Sequence, residues 1–165
     1  MTDTILTLLD PDATDALGHA LADLLRPGDS VLLSGPIGAG KSHLARAIIR
    51  SKLERAGAPP EDIPSPTYTL VQTYEAGGSE IWHADLYRLT SADEVFELGL
   101  DTAFETAICL IEWPDRLGDL APPDALVIEL SSDLAVDGRR AVLRSGSNRW
   151  QSALRSLANG SGGPI

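Results

Sequence analysis

The chain has 165 residues, 43% hydrophobic and 22% charged, with a formal net charge of −11 and a single cysteine, Cys109. That length fits one domain, and the composition excludes collagen, coiled-coil arrays, disulfide scaffolds and wholesale disorder. No apolar run nears the roughly 18 residues of a membrane helix and the acidic N-terminus is unlike a signal peptide, so a soluble cytoplasmic protein with no membrane association is expected.

Leu17, Ala20, Leu21, Leu24 and Leu25 recur at helical spacing and predict a helix over 12–25, ended by Pro27-Gly28. Residues 30–34 (SVLLS) read as a buried strand, and the glycine-rich stretch 35–40 follows it. A second helix is predicted over 41–56, with Leu44, Ala45, Ile48, Ile49 and Leu53 on one face and Gly57 at its end. Residues 67–74 and 80–86 read as an antiparallel hairpin across Gly77-Gly78. Ser91 and Glu94 form a capping-box pattern, which predicts a short helix over 91–98. Residues 107–111 (AICLI) are a second buried strand. A last hairpin, 125–130 with 140–144, turns at Asp137-Gly138. An amphipathic helix over 148–158 turns Trp150, Leu154 and Leu157 inward. The domain spans 1–159, and 160–165 is expected to be a disordered tail. No internal repeat or linker interrupts it. Alternating strands and helices with hairpins predict an α/β fold: three layers around a mixed, partly parallel sheet.

Residues 35–42, GPIGAGKS, match G-x-x-x-x-G-K-[ST] without a gap, after a buried strand and before a helix. Glycines let successive backbone N–H groups curl into an anion nest, Lys41 reaches the β- and γ-phosphates, and the Ser42 hydroxyl suits Mg²⁺. The helix N-terminus adds partial positive charge. A nucleotide, whose base the loop does not name, is therefore expected against Pro36, Ile37, Gly38, Ala39, Gly40, Lys41, Ser42 and His43. A metal-holding acid belongs at the end of a second buried strand, where Asp85 and Glu112 both qualify, as direct ligands or through water. His83 alternates with Asp85 and shares its face; packing or a hydrogen bond to a metal-holding group outweighs ligation. His19 and His43 have no partner at metal spacing. Cys109 reads as a small buried hydrophobe, and Tyr68, Tyr74 and Tyr87 as sheet residues.

Charge is unevenly spread. Residues 61–113 carry eleven acids against Arg88 alone, whereas 139–165 hold five arginines and no acid. That pattern argues against a broad nucleic-acid surface and leaves the arginine-rich end as a solvated face or a small docking patch. A small-molecule kinase would need basic lid residues, which the acidic centre lacks. A GTP-selecting switch would need N-K-x-D, which is missing.

Four segments, GPIGAGKS (35–42), SPTYTLVQTY (65–74), HADLYRL (83–89) with ELG (97–99), and ICLIEWPDRL (108–117), resemble the bacterial TsaE family, P-loop ATPases of tRNA threonylcarbamoyladenosine biosynthesis. The resemblance implies an ATPase, with ATP or ADP on the loop, that works with a two-protein TsaB- and TsaD-like transferase placing threonylcarbamoyl on N6 of adenosine 37 in tRNA. Arg88 and Arg116 are the only arginines between the loop helix and the C-terminal cluster, and with so few cations for the site the ATPase is expected to be slow alone. The tRNA would be contacted mainly by those partners. It further implies that Lys41, Asp85, Glu112 and Thr67 act in catalysis, with Thr67 as a switch threonine near the γ-phosphate. Ser42, Asp85 and Glu112 would face Mg²⁺, and Trp113 would be linked to activity. Ser42 stands where threonine is commoner in the family, and the hydroxyl is retained.

Overall fold

The computed structural model describes residues 3–59, 61–133 and 138–161. The chain runs β1 (Thr4–Leu8), α1 (Pro11–Leu24), β2 (Ser30–Ser34), α2 (Lys41–Arg55), β3 (Val71–Ala76), β4 (Ser79–Asp85), α3 (Asp93–Leu98) and α4 (Leu100–Thr106). It continues through β5 (Ile108–Glu112), a 3₁₀ segment (Pro114–Leu120), β6 (Leu126–Asp133), β7 (Gly138–Arg144) and α5 (Asn148–Ser161). The seven strands form one sheet in the order β1-β7-β6-β2-β5-β4-β3. Its centre, β6-β2-β5-β4, is parallel, and β1, β7 and β3 join antiparallel. This is the mixed α/β architecture that the alternation of elements predicts.

Strand alternation divides the apolar residues between two cores. Val31, Leu33, Ile81, Ile108 and Leu110 pack with α1, α2 and α5 on one face. Leu32, Ala84, Cys109 and Ile111 pack with α3, α4 and the 3₁₀ segment on the other. Three layers result, and the strand residues of even number in β4 and β5 face opposite cores because β4 counts from Ile81 and β5 from Ile108. Asp10 caps α1, its Oδ1 accepting from the Ala13 N–H at 2.8 Å, with Pro11 at the first helical position.

Several expectations are corrected. The strand predicted from Thr67 begins only at Val71: residues 67–70 turn, Leu70 takes φ +69°, and its N–H donates to the Pro66 carbonyl at 2.7 Å. The Ser91–Glu94 capping box does not form. Glu94 instead accepts from the Thr90 N–H (3.1 Å) and hydroxyl (2.7 Å), one residue earlier, and Ala92 is the N-cap of α3. The helix over 148–158 continues to Ser161, into the predicted tail; no proline interrupts the chain between Asn148 and Pro164. The rest of that tail, 162–165, lies outside the described residues, as does Asp137 of the predicted turn, although β6 and β7 pair as expected. β1, α4 and the 3₁₀ segment were not anticipated.

Candidate functional site

The glycine-rich loop leaves the C-terminal end of β2, which lies inside the parallel centre, and enters α2. Gly35, Gly38 and Gly40 take φ of +140°, +83° and +103°, conformations that turn successive N–H groups to one side. A Cβ on Gly35 would lie 2.2 Å from the Leu130 carbonyl oxygen, so the loop is pressed against β6 where it starts. Gly40 is the N-cap of α2, which places Lys41 and Ser42 in its first turn.

A cleft of about 430 Å³ opens over this loop. Ile37, Gly38, Gly40, Lys41, Ser42 and His43 line it from the loop side, and Thr67, Asp85 and Glu112 from the strand side. Pro36 and Ala39 do not line it: Ala39 is buried in the core, and Pro36 turns its carbonyl to Lys41. The Lys41 ammonium donates to the Gly35 (2.6 Å) and Pro36 (3.0 Å) carbonyls and sits 4.2 Å from the centroid of the Trp113 ring. Burial lowers its pKa from 10.5, while the Glu112 and Asp85 carboxylates pull the other way.

Asp85 and Glu112 are register partners on adjacent parallel strands and form the floor of the cleft. Both are nearly buried, at 5% and 3% exposure. The Ser42 hydroxyl lies 2.8 and 2.9 Å from the two Glu112 oxygens, and His83 Nε2 lies 2.7 Å from Oε2. Asp85 accepts from the Tyr87 N–H at 3.0 Å and from the Thr67 hydroxyl at 3.4 Å, which in turn lies 2.9 Å from the Ser65 hydroxyl. The turn that displaces residues 67–70 from the sheet is thus what delivers Thr67 to the acid. Trp113 takes φ +59° after β5 and folds back over Lys41, its ring 4.8 Å from that of Tyr87.

Two cleft residues were missed from the sequence, Arg46 and Tyr87. Arg46 stands four residues beyond Ser42 on the same helix, a spacing that puts both on one face and is the signal that finds it. Arg88 and Arg116, weighed as cations for the site, do not line the cleft. The Arg88 guanidinium lies 5.0 Å from the Tyr68 ring, and Arg116 donates to the Tyr87 carbonyl at 3.2 Å. Three of the five C-terminal arginines are half-buried and partnered: Arg139 donates to the Gly38 carbonyl at 3.1 Å, Arg144 pairs with Glu129 at 2.8 Å, and Arg149 pairs with Asp29, whereas Arg140 and Arg155 are exposed. His43 bonds to Asp15 and His19 to Ser51. Cys109 is buried in the second core, and burial pushes its thiol up to about 12. Among the described residues no three His, Cys, Asp or Glu side chains gather as an all-protein metal cage.

A family model described as threonylcarbamoyl adenosine biosynthesis protein TsaE matches residues 8–141. The chain is 39% identical over 126 residues to the tRNA threonylcarbamoyladenosine biosynthesis protein TsaE of Rickettsia conorii, covering 76% of this chain and 70% of that one. It is 30% identical to the protein of the same name from Bacillus subtilis over 153 residues, 91% and 90% of the two chains. The crystal structure of Bacillus subtilis YdiB superposes with a TM-score of 0.72 at 23% identity, over 96% of this chain and 95% of that one, which establishes the shared fold.

Proposed function

The chain belongs to the TsaE family of tRNA threonylcarbamoyladenosine biosynthesis proteins, and on that premise we propose that it is the component that binds and hydrolyses ATP during threonylcarbamoyl transfer to N6 of adenosine 37. The observation that carries the reading is one cleft in which Lys41 and Ser42 of the glycine-rich loop meet the paired carboxylates Asp85 and Glu112.

The donor set fits a nucleotide with magnesium. The loop offers N–H groups for phosphate, and Mg²⁺ binds by one or two carboxylates plus phosphate oxygens rather than in an all-protein cage. Ser42 and Glu112, already in contact, would hold the ion, with Asp85 beside them. Bound there, Mg²⁺ would supply the positive charge that phosphoryl transfer calls for.

The chain's own groups do the rest. Lys41 exchanges its two loop carbonyls for the β- and γ-phosphates, a move of its flexible stem alone. Trp113 and Tyr87 roof that ammonium and keep water from it. Asp85, Glu112 or both orient the attacking water. Thr67, tied to Asp85 by a long bond, follows the γ-phosphate and carries residues 65–74 with it. Turnover by the chain alone is slow and rises in a complex with TsaB- and TsaD-like proteins. Those partners also supply most of the tRNA contact, and a role in tRNA modification supports a cytoplasmic location.

The test is phosphate release with Mg²⁺-ATP by the chain alone and with its two partners, beside a multiple-turnover assay of threonylcarbamoyl transfer to tRNA. Transfer that runs equally well without this chain overturns the proposal.

A further inference from the structure

His83 has no exposed surface, yet only one of its two ring nitrogens has a partner. Nε2 lies 2.7 Å from Glu112 Oε2. Nδ1 is buried with no hydrogen-bond partner among the described residues. The sheet explains the contact. Ile81, His83 and Asp85 share one face of β4, and Ile108, Leu110 and Glu112 share one face of β5. The register sets Asp85 opposite Glu112 and His83 opposite Leu110. His83 therefore reaches Glu112 diagonally, from one step deeper, with Ile81 and Leu110 of the apolar core around it. It does not line the cleft, so it is not placed to touch a metal or a phosphate itself.

A carboxylate only accepts, so the proton of this hydrogen bond is on Nε2. The Nε2 proton is thus aimed at Glu112 from the buried side of the cleft. We propose that His83 is a positioning residue: its Nε2–H ties down Glu112 Oε2 so that Oε1 is held toward Ser42 and the cation place in the cleft. The proposal rests on the reading of this cleft as a Mg²⁺-nucleotide site. Groups that hydrogen-bond a metal-binding side chain from behind typically change metal affinity by 10–100-fold when removed.

His83→Gln and His83→Met are a matched pair of similar length and volume; only glutamine keeps a donor near the place of Nε2. ADP affinity is measured by calorimetry for the full chain with Mg²⁺ and with EDTA. Wild type and His83→Gln should share most of the gain conferred by Mg²⁺. His83→Met should lose about tenfold of it, with EDTA affinity unchanged. Met matching wild type overturns the proposal, as does Gln failing alongside Met while both melt like wild type. A second measurement needs neither metal nor nucleotide. In ¹⁵N-histidine-labelled wild type, the resonances that vanish in His83→Gln should show a proton on Nε2. A ring with no proton on Nε2 overturns the proposal even if the Met variant does not fold. A wild-type chain that binds no Mg²⁺-ADP would instead count against the proposed function and leave the Nε2 result standing.

Discussion

Replacing Glu112 by glutamine separates its charge from its shape. In the fold the side chain can stay where it is. The amide oxygen accepts from His83 Nε2–H, and the amide nitrogen donates to Ser42, whose hydroxyl turns from donor to acceptor. No buried polar group loses its partner. Two electrostatic changes oppose each other. Asp85 and Glu112 sit on neighbouring strands, and unit charges about 5 Å apart repel by about 3 kcal/mol at an effective dielectric near 20. That repulsion is relieved. The attraction between Glu112 and the Lys41 ammonium, of opposite sign, is lost with it. The net change in stability should be within about 1 kcal/mol, a melting shift of no more than about 4 °C for a chain of this size. Turnover should nevertheless fall about a hundredfold or more, because the variant can neither take a proton from water nor offer charge to a cation. Glu112→Ala behaves differently. It strands the buried His83 N–H at a cost of about 1–3 kcal/mol, so it should lose stability as well as activity. The assay pairs thermal unfolding with phosphate release in the partner complex. A Glu112→Gln protein that keeps more than about a tenth of wild-type turnover refutes the catalytic assignment. One that melts more than about 10 °C low refutes the claim that the carboxylate serves the site rather than the fold.

Lys41→Met should abolish turnover and also change the pH dependence of stability. Burial holds the folded-state pKa of Lys41 below 10.5, so between those two values the unfolded chain binds the proton more tightly and this lysine adds stability as pH rises. Urea midpoints from pH 8 to 11 should therefore move in favour of wild type over Lys41→Met toward the alkaline end, and a flat difference contradicts the argument. Gly35→Ala drives a Cβ onto the Leu130 carbonyl and should cost about 3 kcal/mol or more by thermal unfolding. At Gly38 a Cβ meets nothing within 4 Å, so Gly38→Ala should cost only the about 1–2 kcal/mol of its positive φ and yet weaken ADP binding measured by calorimetry. Native Cys109 should resist iodoacetamide at pH 8, where a thiol pushed up to about 12 is only about one part in ten thousand thiolate, and react once the chain is unfolded.

Much of this architecture is legible along the chain because it is decided locally. The strand at residues 30–34 and the helix from Lys41 follow from an apolar run, a periodic face and glycines that free the backbone between them. The hairpin across Gly77-Gly78 follows from turn chemistry. The elements that escaped are those whose stability comes from elsewhere. β1 is a strand because it pairs with β7, more than a hundred residues on, and α4 lies directly behind Gly99 as a short segment without a strong period of its own. At residues 67–70 strand-forming side chains are overridden by a turn closed from Pro66 and by the Asp85 N–H, which donates to the Leu70 carbonyl.

The same division runs through the site. The spacing of residues 35–42 by itself predicted an anion nest, since such a nest is made by consecutive dihedral angles and needs no distant partner. Alternation also determined that His83 and Asp85 share a face. Only the tertiary structure decided that β4 and β5 are neighbours in a register that sets Asp85 against Glu112, that Glu112 is held by Ser42 and His83, that Trp113 folds over Lys41, and that Arg139 rather than Arg88 reaches the loop. The reason is physical: dihedral preference and periodicity are short-range and can be read residue by residue. Strand order and register are settled by the packing of two cores on opposite faces of one sheet, which no local stretch of sequence contains.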